Sequence, residues 1–232
     1  KQDIPRFKKL FGTGNQLGMR FKYTFQAKQK GIPDAINVAN KFIAKQPFVL
    51  ALADNLFIGE SFQKTLRQVQ SIKSGAAVLA VKTKYPSKSA VIDLGKKGKI
   101  KSIIEKPKKP KSNLTIPGLY FYDSESKTVV RKLKPSKRGE LEIVDVHLDY
   151  LEKQQLKVFL LKKDVKWFDT GDAEEMLEAS NYVHRYQKNK KTLAGSIELV
   201  ALKNGWISKN KFKLMISKYS NSQYKKNLQK FC

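Results

Sequence analysis

Residues 48–52 (FVLAL) form a short, continuous apolar run, and Asp54 is the second residue after it. A run of this kind is typical of a strand that is covered on both faces. Residues 76–81 (AAVLAV) repeat the pattern, and residues 61–74 between the two runs have the spacing of an amphipathic helix. Two buried strands joined by a helix predict an α/β fold whose sheet contains parallel strands.

The elements expected on either side extend this alternation of strands and helices. Further strands are predicted at residues 19–25, 90–94, 100–104, 118–122, 156–161 and 166–169, and further helices at 32–43, 129–133, 144–151 and 172–186. The last of these helices opens with the capping box Asp172-x-x-Glu175. We therefore expect a mixed, mostly parallel sheet with flanking helices over residues 1–186, and a small helical, lysine-rich appendage over residues 187–232.

The composition excludes several classes of protein. A length of 232 residues suffices for a sizeable core, and 41% hydrophobic residues argue against a disordered chain. The single cysteine, Cys232, excludes an internal disulfide framework and a Cys-rich zinc site, and two histidines are too few for a His-based metal cluster. No apolar run approaches the roughly 20 residues of a membrane span, and the first residues do not resemble a signal peptide. We expect a soluble protein of a reducing compartment, the cytoplasm, with no membrane partner.

The charge of the chain raises the alternative of a nucleic-acid partner. Lys and Arg number 47 against 20 Asp and Glu, a net charge of +27, and such an excess favours phosphate backbones. However, only six of the basic residues are arginines, and the lysines occur in every segment. The aromatic residues follow strand-like patterns and are not interleaved with the basic clusters. A solvated, lysine-rich surface is therefore the favoured interpretation, and nucleic acid the less favoured one.

Two acidic residues stand just past predicted strands. Asp54 follows the run at residues 48–52, and Asp169 follows Trp167-Phe168 and precedes a turn at Gly171. In open α/β sheets, ligands bind outside the carboxyl ends of the strands. Carboxylates placed there commonly hold Mg²⁺ together with substrate phosphates. Asp54 and Asp169 are thus candidate metal ligands, with a turn or a cap as the alternative role for each.

A third candidate is the adjacent pair Glu105-Lys106 at the end of a predicted strand. In an extended chain the two side chains point to opposite faces, so they would serve different parts of a site. Lys106 could act as a point charge on a phosphate, and Glu105 could accept hydrogen bonds from sugar hydroxyls. A surface ion pair is the alternative. The Gly-rich residues 12–18 (GTGNQLG) precede a predicted strand rather than a helix, so we interpret them as a loop.

Taken in chain order, seven short segments resemble those of the sugar nucleotidylyltransferases over nearly the whole chain. They are residues 5–7 (PRF), 50–59 (LALADNLFIG), 105–107 (EKP), 117–123 (PGLYFYD), 134–143 (KPSKRGELEI), 167–171 (WFDTG) and 178–181 (EASN). The segments GLYFYD and RGELEI are more similar to the thymidylyl branch than to the bacterial uridylyl branch. The resemblance implies a Rossmann-like fold of the nucleotide-diphospho-sugar transferase type, with its first βα unit missing from these residues.

The resemblance also implies an activity and a set of site residues. Members of the family join a sugar-1-phosphate to the α-phosphorus of a nucleoside triphosphate and release pyrophosphate. For this chain the resemblance implies that glucose-1-phosphate and dTTP are the substrates and dTDP-glucose is the product. Members of the family also commonly form homotetramers. By resemblance, Asp54 and Asp169 would hold Mg²⁺, and Lys106 would contact the sugar phosphate. Glu105 and the Gly118 backbone would hold the sugar hydroxyls, with Trp167 and Ala90 in the sugar pocket. Gln26 and Gly31 would contact the nucleobase, and Ser196 and Glu198 would lie near a secondary nucleotide site.

The sequence also departs from the family pattern. The family's N-terminal segment G-G-x-G-T-R, with its following Lys, cradles the triphosphate, and it is not among these residues. Ser89-Ala90 stand in place of a Tyr-Gly pair, Ala53 in place of a Gly, and Asp34 in place of a usual Gln. We expect from the missing loop that these 232 residues alone are catalytically impaired. The alternatives are a UTP-dependent uridylyltransferase and a non-catalytic homologue that acts as a binding or assembly subunit.

Overall fold

A computed structural model describes residues 2–232 of the protein. Its strands are β1 (Phe48–Ala51), β2 (Asn55–Ile58), β3 (Ala76–Lys82), β4 (Val91–Leu94), β5 (Ile100–Ile104), β6 (Leu114–Thr115), β7 (Leu119–Tyr122), β8 (Leu156–Leu160) and β9 (Lys166–Asp169). Its α-helices are α1 (Ile4–Phe11), α2 (Ile32–Val38), α3 (Asn40–Ile43), α4 (Glu60–Gln70), α5 (Ser126–Lys132), α6 (Ile143–Glu152), α7 (Ala173–Lys190), α8 (Ile197–Lys203), α9 (Lys209–Ser217) and α10 (Gln223–Gln229).

Seven of the strands form one sheet. Its order is β1-β7-β3-β6-β4-β5, and β8 pairs with β3. β2 and β9 form a separate antiparallel ribbon in which Asn55 lies opposite Asp169. This ribbon places the residue after Asp54 directly beside Asp169.

The predicted α/β fold, a central sheet with flanking helices, is confirmed. One detail is wrong: the pairings are not mostly parallel, because β3 with β8 is the only parallel pair among the described strands. The two apolar runs do form β1 and β3, but β7 lies between them and is antiparallel to both. An apolar run shows that both faces of a strand are covered, and this holds for either strand direction.

The chain groups by its internal contacts into two units, one of residues 26–180 and one of the residues up to 25 together with 181–232. In the first unit, alternate residues of β3 face opposite sides of the sheet. Ala76, Val78 and Ala80 pack in a core with residues of α2, α5 and α6, whereas Ala77 and Leu79 pack with Val69 of α4. The unit is therefore a sheet between two helical layers. The division at residue 186 expected from the sequence stays a prediction.

The second unit is helical. Leu17, Phe212, Ile216 and Leu228 are among its fully buried residues. A serine caps each of α8, α9 and α10, since the hydroxyls of Ser196, Ser208 and Ser222 accept backbone N–H groups. The strand predicted at residues 19–25 is wrong: the segment forms no strand, and the Phe21 N–H donates to the carbonyl of Thr13 across a turn. Alternating polarity predicts a strand only where a partner strand is available.

Within residues 2–232, no helix combines the length and the apolar character needed to cross a membrane.

Candidate active site

The two carboxylates predicted as metal ligands lie at the same end of the β2–β9 ribbon. Asp54 is in the tight turn between β1 and β2, and Asp169 is the last residue of β9. A Cβ placed on Gly171 would lie 3.4 Å from Asp169 Oδ1 and 3.6 Å from Asp54 Oδ2. The carboxylates therefore flank Gly171, and positions far apart in sequence converge on one place.

Backbone hydrogen bonds fix the loops that carry these carboxylates. The backbone N–H and the hydroxyl of Thr170 both donate to the carbonyl of Asp54, each at 2.8 Å. The N–H of Asp169 donates to Glu175 Oε2 at 3.1 Å, and Asp169 Oδ1 accepts the N–H of Gly171 at 3.3 Å. The turn after β1 and the turn after β9 are thus bonded directly to each other.

Asn55 connects three of the predicted site residues. Its Oδ1 accepts the N–H of Gly118 at 2.8 Å and the indole N–H of Trp167 at 2.7 Å, and its Nδ2 donates to Asp54 Oδ1 at 2.8 Å. The Gly118 N–H is thus bonded to Asn55, and the Gly118 carbonyl accepts the N–H of Leu52, so the role of this backbone in holding sugar hydroxyls stays a prediction. A Cβ at Gly118 would lie 2.6 Å from Leu52 Cδ1, so the Leu52 side chain would have to move to admit one.

Glu105 is half-buried at the end of β5, and Lys106 beside it is exposed. Burial raises the pKa of Glu105 above its usual range, although the Lys106 charge lowers it. Tyr120 is only 4% exposed. Its pKa is raised by burial and by the negative charges of Glu105, Asp54 and Asp169. The negative charges of all three predicted carboxylates thus raise the pKa of the same phenol.

A cavity of about 420 Å³ reaches from Gln26 and Gly31 to Ala53, the neighbour of Asp54. The two residues predicted to meet the nucleobase thus open onto the same space as the end of β1. Gln26 Nε2 donates to the carbonyl of Gly31 at 3.1 Å and to Asp34 Oδ2 at 2.8 Å, so Asp34 holds the Gln26 amide in place.

Ala90 is a predicted site residue that these contacts do not connect to the carboxylates. It is 6% exposed, and its carbonyl accepts Thr115 Oγ1 at 2.8 Å and the N–H of Ile116 at 2.9 Å. Its backbone thus belongs to the sheet. Lys88, two residues earlier, contacts Asp172 and Glu175 beside Asp169.

Behind Tyr120 lies a fully buried histidine on α6. The rings of His147 and Tyr120 are 5.2 Å apart, and His147 Nε2 is 2.8 Å from the hydroxyl of Tyr122. Burial lowers the pKa of His147 from 6.5 to about 3, so the ring is neutral. His147 is therefore a packing residue on the inner side of Tyr120.

Residues 1–186 match the family model described as "Nucleotidyl transferase". The chain belongs to the nucleotidyl transferase family. A glucose-1-phosphate thymidylyltransferase of Neisseria meningitidis is 36% identical over 223 residues, which cover 96% of this chain and 77% of the relative. One of Mycobacterium tuberculosis is 37% identical over 205 residues, which cover 88% of this chain and 71% of the relative.

Solved structures agree with this membership. A Bacillus anthracis protein assigned to the glucose-1-phosphate thymidylyltransferases, in complex with sucrose, superposes with a TM-score of 0.70 at 31% identity, over 77% of this chain and 71% of that one. A UDP-glucose pyrophosphorylase complexed with UDP-glucose gives a TM-score of 0.62 at 26% identity, over 72% of this chain and 67% of that one. The enzyme class expected from the sequence, a nucleotidyltransferase, is confirmed.

The donor set of this nucleotidyl transferase fits Mg²⁺ that is shared with a substrate. Among residues 2–232, no group of three or more His, Cys, Asp or Glu side chains could hold a metal ion. Asp54 and Asp169 supply two carboxylates on either side of Gly171. Mg²⁺ commonly binds through one or two carboxylates and takes its other ligands from phosphates and water.

The sequence predicts no role in the site for several residues that the structure places there. Asn55, Tyr120 and Thr170 all lie within segments that resemble the family, but nothing in their residue types indicates what they contact. For Glu175 the sequence predicts only a part in the cap of α7. One half of the predicted capping box forms, because Asp172 Oδ1 accepts the N–H groups of Glu174 at 3.0 Å and Glu175 at 3.2 Å. The other half is wrong, because Glu175 accepts the N–H of Asp169 instead of the N–H of Asp172. The additional bond from Asp169 N to Glu175 shows that the cap also supports the site.

Proposed function

We propose that this nucleotidyl transferase joins glucose-1-phosphate to the thymidylyl group of dTTP and yields dTDP-glucose and pyrophosphate. The observation that carries the proposal is the convergence of Asp54 and Asp169 on Gly171, beside the cavity that begins at Ala53 and extends to Gln26. The relatives named as glucose-1-phosphate thymidylyltransferases support the choice of substrates.

The chemistry needs positioning and charge neutralisation rather than proton transfer. An oxygen of the sugar phosphate forms a bond to the α-phosphorus while the bond to pyrophosphate breaks, and the attacking oxygen is already anionic. Mg²⁺ held by Asp54 and Asp169 would neutralise charge on the triphosphate. Lys106 is exposed, and its ammonium would act as a point charge on the sugar phosphate.

The sugar and the base would be held by different residues of the site. The half-buried Glu105 would accept hydrogen bonds from sugar hydroxyls, and the indole of Trp167, which Asn55 fixes in orientation, would line the sugar pocket. The nucleobase would occupy the cavity at Gln26 and Gly31. Apolar side chains of Ile32, Ala35 and Leu50 also line this cavity, and such a lining suits the methyl group of thymine.

The UDP-glucose pyrophosphorylase neighbour favours a second candidate, a uridylyltransferase. Calorimetric titration of the 232-residue chain with dTDP-glucose and with UDP-glucose, in the presence of Mg²⁺, separates the two. Binding of the nucleotide sugar is measured because the family's triphosphate loop is not among these residues. Tighter binding of dTDP-glucose supports the proposal, and tighter binding of UDP-glucose supports the second candidate.

Carboxylate variants test the metal ligands in the same titration. We expect Asp54→Asn and Asp169→Asn each to weaken Mg²⁺-dependent binding by about tenfold or more. Glu152→Gln, which alters an exposed carboxylate at the end of α6, is the control and should bind as the unmodified chain does. If all three variants bind alike, the metal assignment is wrong. If no nucleotide sugar binds, a non-catalytic homologue becomes the better interpretation.

A homotetramer and a cytoplasmic location also stay proposals. The first rests on the resemblance to the family, and sedimentation equilibrium measures it directly. The second rests on the cysteine content and on the lack of long apolar runs.

A further inference from the structure

Lys88 bridges the carboxylate of Asp172, which precedes α7, and the carboxylate of Glu175 in the first turn of α7. It ends a short turn between β3 and β4, two residues before Ala90. Its Nζ lies 3.2 Å from Asp172 Oδ2 and 3.7 Å from Glu175 Oε1. The hydrogen bond with Asp172 is the main cause that raises the pKa of Lys88, and the Glu175 charge adds to it. The ammonium is therefore charged and paired with both carboxylates.

Each of these two carboxylates uses its second oxygen to accept backbone N–H groups. Glu175 Oε2 accepts the N–H of Asp169, and Asp172 Oδ1 accepts the N–H groups of Glu174 and Glu175. A chain of contacts thus runs from the Lys88 ammonium through Glu175 to the peptide of a proposed metal ligand. Without Lys88, the carboxylates of Asp172 and Glu175 would lose the cation that they share.

We infer that Lys88 is a positioning residue that fixes Asp169 against Asp54 and ties the loop of Ser89 and Ala90 to the metal-binding turn. The inference rests on the proposed function, because it takes Asp54 and Asp169 as the ligands of the divalent cation. Lys88 itself touches neither metal nor substrate in this role. It acts through Glu175, as outer groups orient the ligands in many metal sites.

The inference can be separated from a purely structural role. The side chains of Lys88 and Asp172 are 49% and 43% exposed, and ion pairs as exposed as this one contribute little to folding stability. Removal of Lys88 should therefore leave the melting temperature almost unchanged. A change in the site without a change in stability indicates positioning.

The direction of the change in cation affinity distinguishes positioning by Lys88 from a simple effect of its charge. Lys88 is a positive charge close to a cation site, so neutralising it should strengthen cation binding if charge alone matters. Loss of positioning should weaken binding instead. The two explanations predict opposite changes in the dissociation constant of the metal.

The experiment titrates the 232-residue chain with Mn²⁺ and follows free Mn²⁺ by electron paramagnetic resonance. The variants are Lys88→Gln, Lys88→Arg and Lys84→Gln, the last being an exposed lysine of the same loop. We expect Lys88→Gln to weaken Mn²⁺ binding by about tenfold. Lys88→Arg should restore it, since a guanidinium can still bridge both carboxylates, and Lys84→Gln should leave it unchanged.

Hydrogen exchange gives a readout that does not depend on the metal. In Lys88→Gln, the amide of Asp169 should exchange faster than in the Lys84→Gln control. Unchanged or tighter Mn²⁺ binding in Lys88→Gln, or unchanged exchange at Asp169, overturns the inference while the proposed metal site stands. If the unmodified chain binds Mn²⁺ no better than Asp54→Asn and Asp169→Asn do, the proposed site fails and the inference fails with it.

Discussion

Replacing Asn55 by alanine tests how the candidate site is held together. The Asn55 side chain accepts the N–H of Gly118 and the indole N–H of Trp167, and it donates to Asp54. Alanine removes all three bonds and offers no substitute. Gly118 is buried and Trp167 is half-buried, so water can replace the lost acceptor only in part.

The magnitude follows from these burials. A buried donor left without an acceptor costs about 1–3 kcal/mol. The Gly118 N–H should contribute most of that range, and the half-buried indole N–H of Trp167 the lower part of it. We therefore expect Asn55→Ala to lower the free energy of unfolding by about 2–4 kcal/mol.

Guanidinium denaturation followed by circular dichroism measures this change. Asn55→Asp is the informative companion variant, because it keeps the acceptor oxygen for Gly118 and Trp167 but sets a second carboxylate against Asp54 in place of the donor. Guanidinium chloride is itself a salt and screens the repulsion between the two carboxylates, so Asn55→Asp should still unfold at higher denaturant than Asn55→Ala. Asn113→Ala, at an exposed position, is the control. Stability of Asn55→Ala within about 0.5 kcal/mol of the control would refute this account, since surface substitutions stay in that range.

Two further predictions concern Gly31 and His147. Gly98→Ala should lower the free energy of unfolding by about 1–2 kcal/mol, because φ at Gly98 is +74° and no atom lies near the added Cβ. Gly31→Ala, at φ +91°, should lower it by more, because the added Cβ would also overlap the Leu141 carbonyl. Thermal denaturation compares the two, and equal losses would contradict the close approach. Because His147 stays neutral in the fold down to about pH 3, the unfolded state binds one more proton between pH 3 and 6.5. Stability should fall by about 2 kcal/mol from pH 7 to pH 5. In His147→Gln this fall should be smaller by that amount, and an identical pH dependence would contradict it.

Local patterns in the sequence were sufficient to locate most elements of the α/β unit. The run at residues 76–81 is fully or nearly fully buried in β3, and the predicted Asp172 cap opens α7. These signals depend only on residues near one another in the chain. Strand direction does not: β7 runs antiparallel between β1 and β3, and nothing in an apolar run encodes that. The strand predicted for the alternating residues 19–25 is wrong for a related reason, since no strand pairs with them.

For the site, the sequence indicated the carboxylates but not what holds them. Asp54 and Asp169 are predicted as metal ligands because each follows a strand. The structure brings them together, although their roles stay predictions. Their convergence depends on the register that sets Asn55 opposite Asp169. The contacts of Asn55 and Lys88 are made with residues 112 and 84 positions away, respectively. Only the folded chain reveals such partners.

The β2–β9 ribbon has a consequence for the order in which this protein folds. Asn55 and Trp167 are separated by 112 positions, and the entropy lost when a loop of that length closes must be offset by contacts made within it. Strands β3 to β8 and helices α4 to α6 lie in that intervening segment, so the ribbon can close at low cost only after they have formed. Cation affinity should therefore appear late in refolding, and a mixing experiment that follows Mn²⁺ capture would report completion of the core rather than its first collapse.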